Sequence, residues 1–346
     1  MITILRWILF PITVVYHSII WLRNLLYDKG IFKSQSFKIP TIVIGNLAIG
    51  GTGKSPMTEY LIKLLQDKYS IATLSRGYGR KTKGYRLVNV NSKALEVGDE
   101  PLQFKNKFPN ITVAVDEDRC EGIKQLQNNH DIIILDDAFQ HRKLRPGYAI
   151  LLFDFNSLFK PILTLPTGDF RDIFSSTKRA DLIIITKCPE NINDKEKHHI
   201  EHIIRKYNIA PIFYTKIGYE NPKSLSGSIE ENKLENKEIL LFCGIANPTP
   251  LVEYLEKYNN TVHLLKFPDH HNFSQDDFEK IKNKFNSIDN TNKLILTTEK
   301  DTQRIPADVF ISYPVYYMPI HLQSADNQQV TFDHFIENYL SSHQGH

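Results

Sequence analysis

At 346 residues with 42 basic and 39 acidic side chains, for a formal charge of +3, the chain is long enough for two hydrophobic cores. That charge is too balanced for nucleic acid to be its main partner, and no feature calls for an obligate protein partner. Cys120, Cys188 and Cys243 lie far apart without CxxC or Cys/His spacing, so neither a disulfide framework nor a structural zinc site is indicated.

From Trp7 to Leu22 the chain is almost wholly apolar, bracketed by Arg6 and Arg23. The run is shorter than the roughly twenty residues that span a bilayer upright. On a helical wheel Arg6, Thr13, His17 and Asn24 form a narrow polar stripe on a greasy cylinder. That pattern predicts a helix lying in a membrane face, with Trp7, Tyr16 and Trp21 at the interface and Arg23, Lys29, Lys33 and Lys38 near anionic head groups. A buried core helix is the competing arrangement. A secretory signal is disfavoured by the missing Ala-x-Ala cleavage pattern.

From Thr41 an apolar strand breaks into the turn Ile49-Gly50-Gly51-Thr52-Gly53-Lys54-Ser55, and Pro56 opens a helix with Met57, Tyr60, Leu61, Leu64 and Leu65 at helical spacing. Backbone N–H groups in such a turn face inward to cradle phosphates, with Lys54 reaching the outer ones and Ser55 placed for magnesium. Ala48 stands where the strict pattern has its first glycine. A strand over 70–75 then ends in Arg76-Gly77-Tyr78-Gly79-Arg80-Lys81, either a phosphate-gripping loop or a solvated basic one. Val97-Gly98-Asp99-Glu100-Pro101 opens a helix, and on local grounds Asp99 reads as its cap. A short strand over 111–115 leads into a helix begun by Asp116 to Arg119.

The apolar strand 131–135 ends in Asp136 and Asp137, the acidic neighbour that a phosphate loop requires for its metal. Gln140, His141, Arg142 and Lys143 follow and line the same crevice. Further buried strands are expected over 148–154 and 181–187. Between them a shaped loop over 163–172 carries one exposed arginine, Arg171. Thr186-Lys187-Cys188-Pro189 has proline where guanine-reading turns have aspartate, so guanine specificity is not expected.

In the second half, strands over 237–243, 261–267 and 293–298 alternate with helices over 249–258 and 276–285. The stretch 229–237 reads as a solvated loop, and segments 211–216 and 314–319 as paired linker strands. Asp269-His270-His271 is compatible with a general base, a metal ligand or surface histidines. The fold expected is α/β, a parallel P-loop NTPase-like sheet with helices on both faces, plus a smaller α/β/α domain on a two-stranded linker. The expected boundaries are 1–38 for a membrane-associated segment, 39–210 for the phosphate-loop domain, 211–319 for linker and second domain, and 320–346 for a return toward the first.

Seven blocks, Gly50 to Pro56, Ser75 to Gly79, Gly98 to Pro101, Asp136 to His141, Gly168 to Asp172, Asp269 to His271 and Thr298 to Asp301, resemble the tetraacyldisaccharide 4'-kinases of lipid A biosynthesis over nearly the whole chain. The resemblance implies transfer of the ATP γ-phosphate to the 4'-hydroxyl of a tetraacyldisaccharide 1-phosphate, giving lipid IVA, at the cytoplasmic face of the bacterial inner membrane. It also implies roles: Asp99 with His270 as base, Lys54 and Ser55 on phosphates and metal, Asp136 and Asp137 on Mg2+. Arg76, Tyr78, Arg119, Gln140, His141 and Arg171 would line the lipid and phosphate site. Ala138 and Asp172 depart from the glycine and glutamate usual in the family.

Overall fold

A computed structural model of the chain describes residues 6–225, 234–306, 308–326 and 329–343. Of the loop expected over 229–237, residues 229–233 lie outside the described residues.

The larger unit is a nine-stranded sheet. Its inner strands are β1 (Thr41–Asn46), β2 (Ile71–Ser75), β4 (Thr112–Val115), β5 (Ile132–Asp136), β6 (Tyr148–Asp154) and β7 (Leu182–Thr186). Its edges are completed by β3 (Arg86–Leu87), β8 (Ile212–Tyr219) and β14 (Ile320–Ser324), in the order β14-β8-β7-β6-β1-β5-β2-β4-β3. All pairings among β1, β2 and β4 to β8 are parallel, and β3 and β14 join antiparallel. Runs such as Ile132-Ile133-Ile134-Leu135 are apolar without alternation because apolar layers cover both faces of the sheet. One layer gathers Leu74, Leu135, Leu151 and Phe174; the other gathers Ile44, Leu61, Ile134 and Phe104. β1 sits between β5 and β6, where the winding direction reverses, so a crevice opens at its carboxyl end.

The smaller unit is a five-stranded sheet, β11-β10-β12-β13-β9. It comprises β9 (Lys223–Ser224), β10 (Glu238–Cys243), β11 (Thr261–Lys266), β12 (Lys293–Thr298) and β13 (Val315–Met318), again with an apolar cluster on each face. The linker pairing differs from expectation. Residues 315–318 lie beside β12 inside the small sheet, and the partner of β8 is the next segment, β14. Val315, Tyr316 and Met318 are buried, which suits an inner strand, whereas 320–324 buries only Leu322 and suits an edge. Residues 215–219 pair with β14 alone, so the two-stranded connection exists with a shifted second strand. The final helix, Gln329–Ser341, packs back on the larger sheet, where Thr41 N donates to the Tyr339 hydroxyl at 3.1 Å.

The leading helix, α1 (Phe10–Asp28), is inside out relative to a surface helix of a soluble protein. Three of its polar residues face the protein: Thr13 Oγ1 donates to Thr167 Oγ1 at 2.7 Å, Tyr16 donates to the Arg171 carbonyl at 3.0 Å, and Asn24 Nδ2 donates to Asp172 Oδ1 at 2.9 Å. Just before the helix, Arg6 pairs with Asp169 at 2.7 Å. His17, assigned to the same stripe, is exposed instead. The apolar side chains Ile12, Val15, Ile19, Trp21 and Leu22 are each at least half exposed. No described helix is long and apolar enough to cross a membrane.

Asp172, which stands where the resemblance implies glutamate, has a clear structural use. It is 1 % exposed, takes Asn24, Ser176 and the Ile173 N–H on one oxygen and Arg179 on the other, and so anchors α1. Asn24→Ala leaves that oxygen a donor short in a dry setting. The expected cost is about 1–3 kcal/mol, read as a lowered Tm in differential scanning calorimetry.

Candidate active site

β1 ends in Asn46, fully buried, and the phosphate turn follows. Gly53 caps α2 (Lys54–Leu65) at φ +80, and it is this left-handed backbone that calls for glycine, since a Cβ there would meet Thr186 only at an ordinary 3.6 Å. The loop over 163–172 lies along the entry to the turn: Arg171 N donates to Leu47 O at 2.7 Å and Ile49 N to Asp169 O at 2.8 Å. Ala48 is buried in a bridge to Phe170 and is not among the positive-φ residues, so the missing first glycine leaves the turn intact. Ala138 likewise keeps out of the positive-φ region.

Lys54 Nζ lies 3.3 Å from Asn46 Oδ1 and 3.7 Å from Asp137 Oδ1. Arg171, expected to be exposed, is instead tied down: its guanidinium binds both oxygens of Asp137 and the Asn46 side chain. Asp137 sits at φ +50, a costly conformation for a residue with a Cβ, and this aims its carboxylate at the two cations. The two adjacent acids are thereby pushed apart. Burial, then the charge of Asp137, raises the Asp136 carboxyl to about 7. Burial acts on Asp137 as well, but the hydrogen bond from Arg171 and the charge of Lys54 outweigh it and hold that carboxyl below its ordinary range.

The second centre joins the two units. The N-cap of α4 (Asp99–Lys107), the helix that follows a short α3 (Ala94–Val97), is Gly98 at φ +94. Asp99 therefore caps nothing. Its side chain turns to the smaller unit, where Arg304 Nε donates to Oδ1 at 2.9 Å and Arg304 Nη2 to Oδ2. His270 Nδ1 is 2.8 Å from the same Oδ2. Burial alone would raise the Asp99 carboxyl, but the hydrogen bonds from His270 and Arg304 hold it at about 2. His270, at φ +57, thus takes its carboxylate from 171 positions away, not from neighbouring Asp269, and His271 pairs with Asp277 at 2.9 Å. Lys300 Nζ lies 2.9 Å from His270 Nε2 and 3.3 Å from Glu100 Oε1. Lys107 adds a further tie, bridging Glu59 at 2.7 Å and Glu299 at 2.8 Å.

Glu100 pairs with Lys300 in the second centre, and its negative charge adds to those that raise the Asp136 carboxyl in the first. Tyr78 is 73 % exposed, with its ring 5.7 Å from the His270 ring, and Arg76 beside it is exposed. Arg119 is buried and donates to the Asp137 carbonyl at 3.3 Å. Gln140 Nε2 donates to Asn46 O at 2.7 Å, and His141 lies 3.7 Å from Asp118, its imidazole held down to about 4 by burial and then by Arg119. Asn46, Lys300 and Arg304 escape a reading of the sequence. Asn46 carries one local signal, a polar residue ending an apolar strand immediately before a phosphate turn. Lys300 and Arg304 have no local signal that points to Asp99.

A turn shaped for the phosphates of a nucleoside triphosphate on the central strand of a doubly wound sheet, together with an imidazole–carboxylate pair that joins His270 of the smaller unit to Asp99 of the larger, defines a P-loop kinase. The family model described as tetraacyldisaccharide-1-P 4'-kinase matches residues 5–341, and the chain belongs to that family. A tetraacyldisaccharide 4'-kinase of Flavobacterium johnsoniae is 44 % identical, covering 97 % of this chain and 98 % of its own length. One from Bacteroides thetaiotaomicron is 40 % identical over 97 % of this chain and 93 % of its own. The crystal structure of LpxK from Aquifex aeolicus in complex with ATP superposes with a TM-score of 0.76 at 27 % identity, covering 97 % of this chain and 99 % of that one.

Proposed function

We propose that the enzyme transfers the γ-phosphate of ATP to the 4'-hydroxyl of a tetraacyldisaccharide 1-phosphate, forming the bis-phosphorylated lipid IVA. The observation that carries the chemistry is the Asp99–His270 pair, 2.8 Å apart across the junction of the two units. A sugar hydroxyl is a poor nucleophile at neutral pH. In this reading Asp99 orients the imidazole of His270, and the imidazole accepts the hydroxyl proton as the oxygen attacks the γ-phosphorus and ADP leaves. Ile49 to Ser55 cradle the phosphates, and Lys54 offsets charge on the transferring group. The donor set of Ser55, Asp136 and Asp137 is all hard oxygen, and buried Asp136 has, among the described residues, a single side-chain hydrogen bond, from Thr58 at 3.3 Å, which fits Mg2+. When bound, that ion would neutralise charge across the β- and γ-phosphates. Arg76, Tyr78, Arg119, Gln140 and His141 surround the approach of the acceptor, and Arg171 holds Asp137 in place.

Incubation with labelled ATP and a monophosphorylated tetraacyl disaccharide is expected to place a second phosphate on the lipid. Rapid phosphate release without acceptor, and no labelled lipid, would instead indicate a nucleotide-switched ATPase.

The outward apolar face of α1 supports binding to the cytoplasmic leaflet, beside the crevice that the polar face of the same helix borders. Each apolar side chain withdrawn from water there contributes about 1–2 kcal/mol. Val15→Asp with Ile19→Asp is therefore expected to move the protein from pellet to supernatant in sedimentation with anionic phospholipid vesicles. Tm and the KM for ATP should hold, because both positions are exposed. Undiminished sedimentation would remove α1 from the membrane role.

A further inference from the structure

The block Thr298-Glu299-Lys300-Asp301 has no part in the reaction so far. Lys300 touches two groups: Glu100 at 3.3 Å and the imidazole Nε2 of His270 at 2.9 Å. A lysine serving only to pair with Glu100 has no need of the second contact. An ammonium group has three donors and no acceptor, so the Nε2 atom facing it must carry a lone pair. The proton of a neutral imidazole is then on Nδ1, where it donates to Asp99 Oδ2 at 2.8 Å. Arg304 Nη2 lies 3.2 Å from Nδ1 because both are donors sharing that one oxygen. Lys300 at Nε2 and Asp99 at Nδ1 thus select one tautomer, and Arg304 finds its acceptor in Asp99 rather than in the ring.

We propose that Lys300 is the positioning residue that holds His270 in the Nδ1–H tautomer and reserves Nε2 for the acceptor hydroxyl. The inference rests on the reading of Asp99–His270 as the proton acceptor. Without acceptor, the Lys300 ammonium occupies the place beside Nε2. An arriving hydroxyl displaces it, and Glu100, already 3.3 Å away, retains the lysine at the crevice. The O–H bond then breaks with its proton passing to Nε2, the oxygen–phosphorus bond forms, and the bond from the γ-phosphorus to the bridging oxygen breaks to release ADP. Lys300 neither gains nor loses a proton in this step. Its side chain is partly exposed, 27 %, which leaves it room to move.

The test uses the full-length enzyme with Lys300→Met, Lys300→Arg and His270→Gln. Lys300→Met is expected to lower kcat by about tenfold to a hundredfold while the KM for ATP stays within about twofold, and Lys300→Arg to recover most of kcat. Long-range proton–nitrogen NMR of enzyme labelled at the histidine ring nitrogens, with His270→Gln giving the assignment, reads the tautomer directly. The wild type should show Nδ1–H at His270, and Lys300→Met a mixture of both tautomers. An Nε2–H tautomer in the wild type overturns the proposal, as does an unchanged kcat in a folded Lys300→Met protein. If His270→Gln is inactive while Lys300→Met is unaffected, only the role of Lys300 falls. If His270→Gln keeps wild-type kcat, the base assignment itself falls.

Discussion

Asp99→Ala is expected to lower kcat by about two to four orders of magnitude, the range general-base catalysis contributes, with the KM for ATP little changed. The carboxylate has two tasks here, and the substitution removes both. It accepts the Nδ1 proton of His270, fixing the ring, and it neutralises Arg304, whose guanidinium is only 4 % exposed. Loss of one partner from a buried pair of this kind costs about 3–5 kcal/mol, so the variant should also melt earlier. Kinetics must therefore be measured well below its Tm, on protein shown to be folded by circular dichroism. Asp99→Asn separates the tasks, since an amide keeps the volume but no longer balances Arg304. The acid limb of stability carries the same signature. The Asp99 carboxyl is held at about 2 against an ordinary 3.8, so its stabilisation is complete above the ordinary value and drains away as pH falls through about 2. Wild-type Tm should fall more steeply across that window than the Tm of Asp99→Asn. Unaltered turnover in folded Asp99→Ala would remove Asp99 from the mechanism.

What the sequence discloses follows from how far each feature reaches along the chain. The phosphate turn is legible because strand, glycines, Lys54 and helix are contiguous, and backbone geometry alone demands them. Asp136 and Asp137 are legible because packing gives an uninterrupted apolar strand no reason to end in two acids, whereas the metal proposed beside the phosphate turn would use them there. Asp99 shows the opposite case. Taken locally it is a helix cap; its partners His270 and Arg304 stand 171 and 205 positions away, and only the docking of the smaller unit on α4 joins them. Resemblance to a family supplied the Asp99–His270 pairing, and no spacing rule could. The linker failed for a related reason: 314–319 and 320–324 are both β-prone, only one residue separates the two strands, and the choice between them is made by burial on the small sheet. For α1 the polar stripe is found apart from His17, which is exposed, but whether it faces water or protein depends on Asp169, Thr167 and Asp172, more than a hundred residues downstream.

Lys54→Ala should cost about 10²- to 10³-fold in kcat, the loss seen when one preorganised donor to a developing charge is removed. The structure separates that effect from a folding defect. Lys54 shares its two contacts, Asn46 and Asp137, with Arg171, which binds both, so each keeps a cation when the lysine goes. The Lys54–Asp137 pair is also loose, at 3.7 Å, and its contribution to stability is about 1 kcal/mol or less. Tm should therefore hold, in contrast to Asp99→Ala. Arg171 cannot stand in for the lost charge, because its guanidinium is already committed to Asp137 and Asn46 and its loop is pinned to Leu47 and Ile49. Lys54→Arg should rescue little for the same geometric reason, since a planar fork does not reproduce a point charge at the end of a flexible stem. Single-turnover transfer from labelled ATP, with nucleotide and acceptor saturating, isolates the chemical step. A rate within about threefold of wild type would mean that Lys54 only binds ground-state phosphate, and the charge-offsetting role would have to pass to another group.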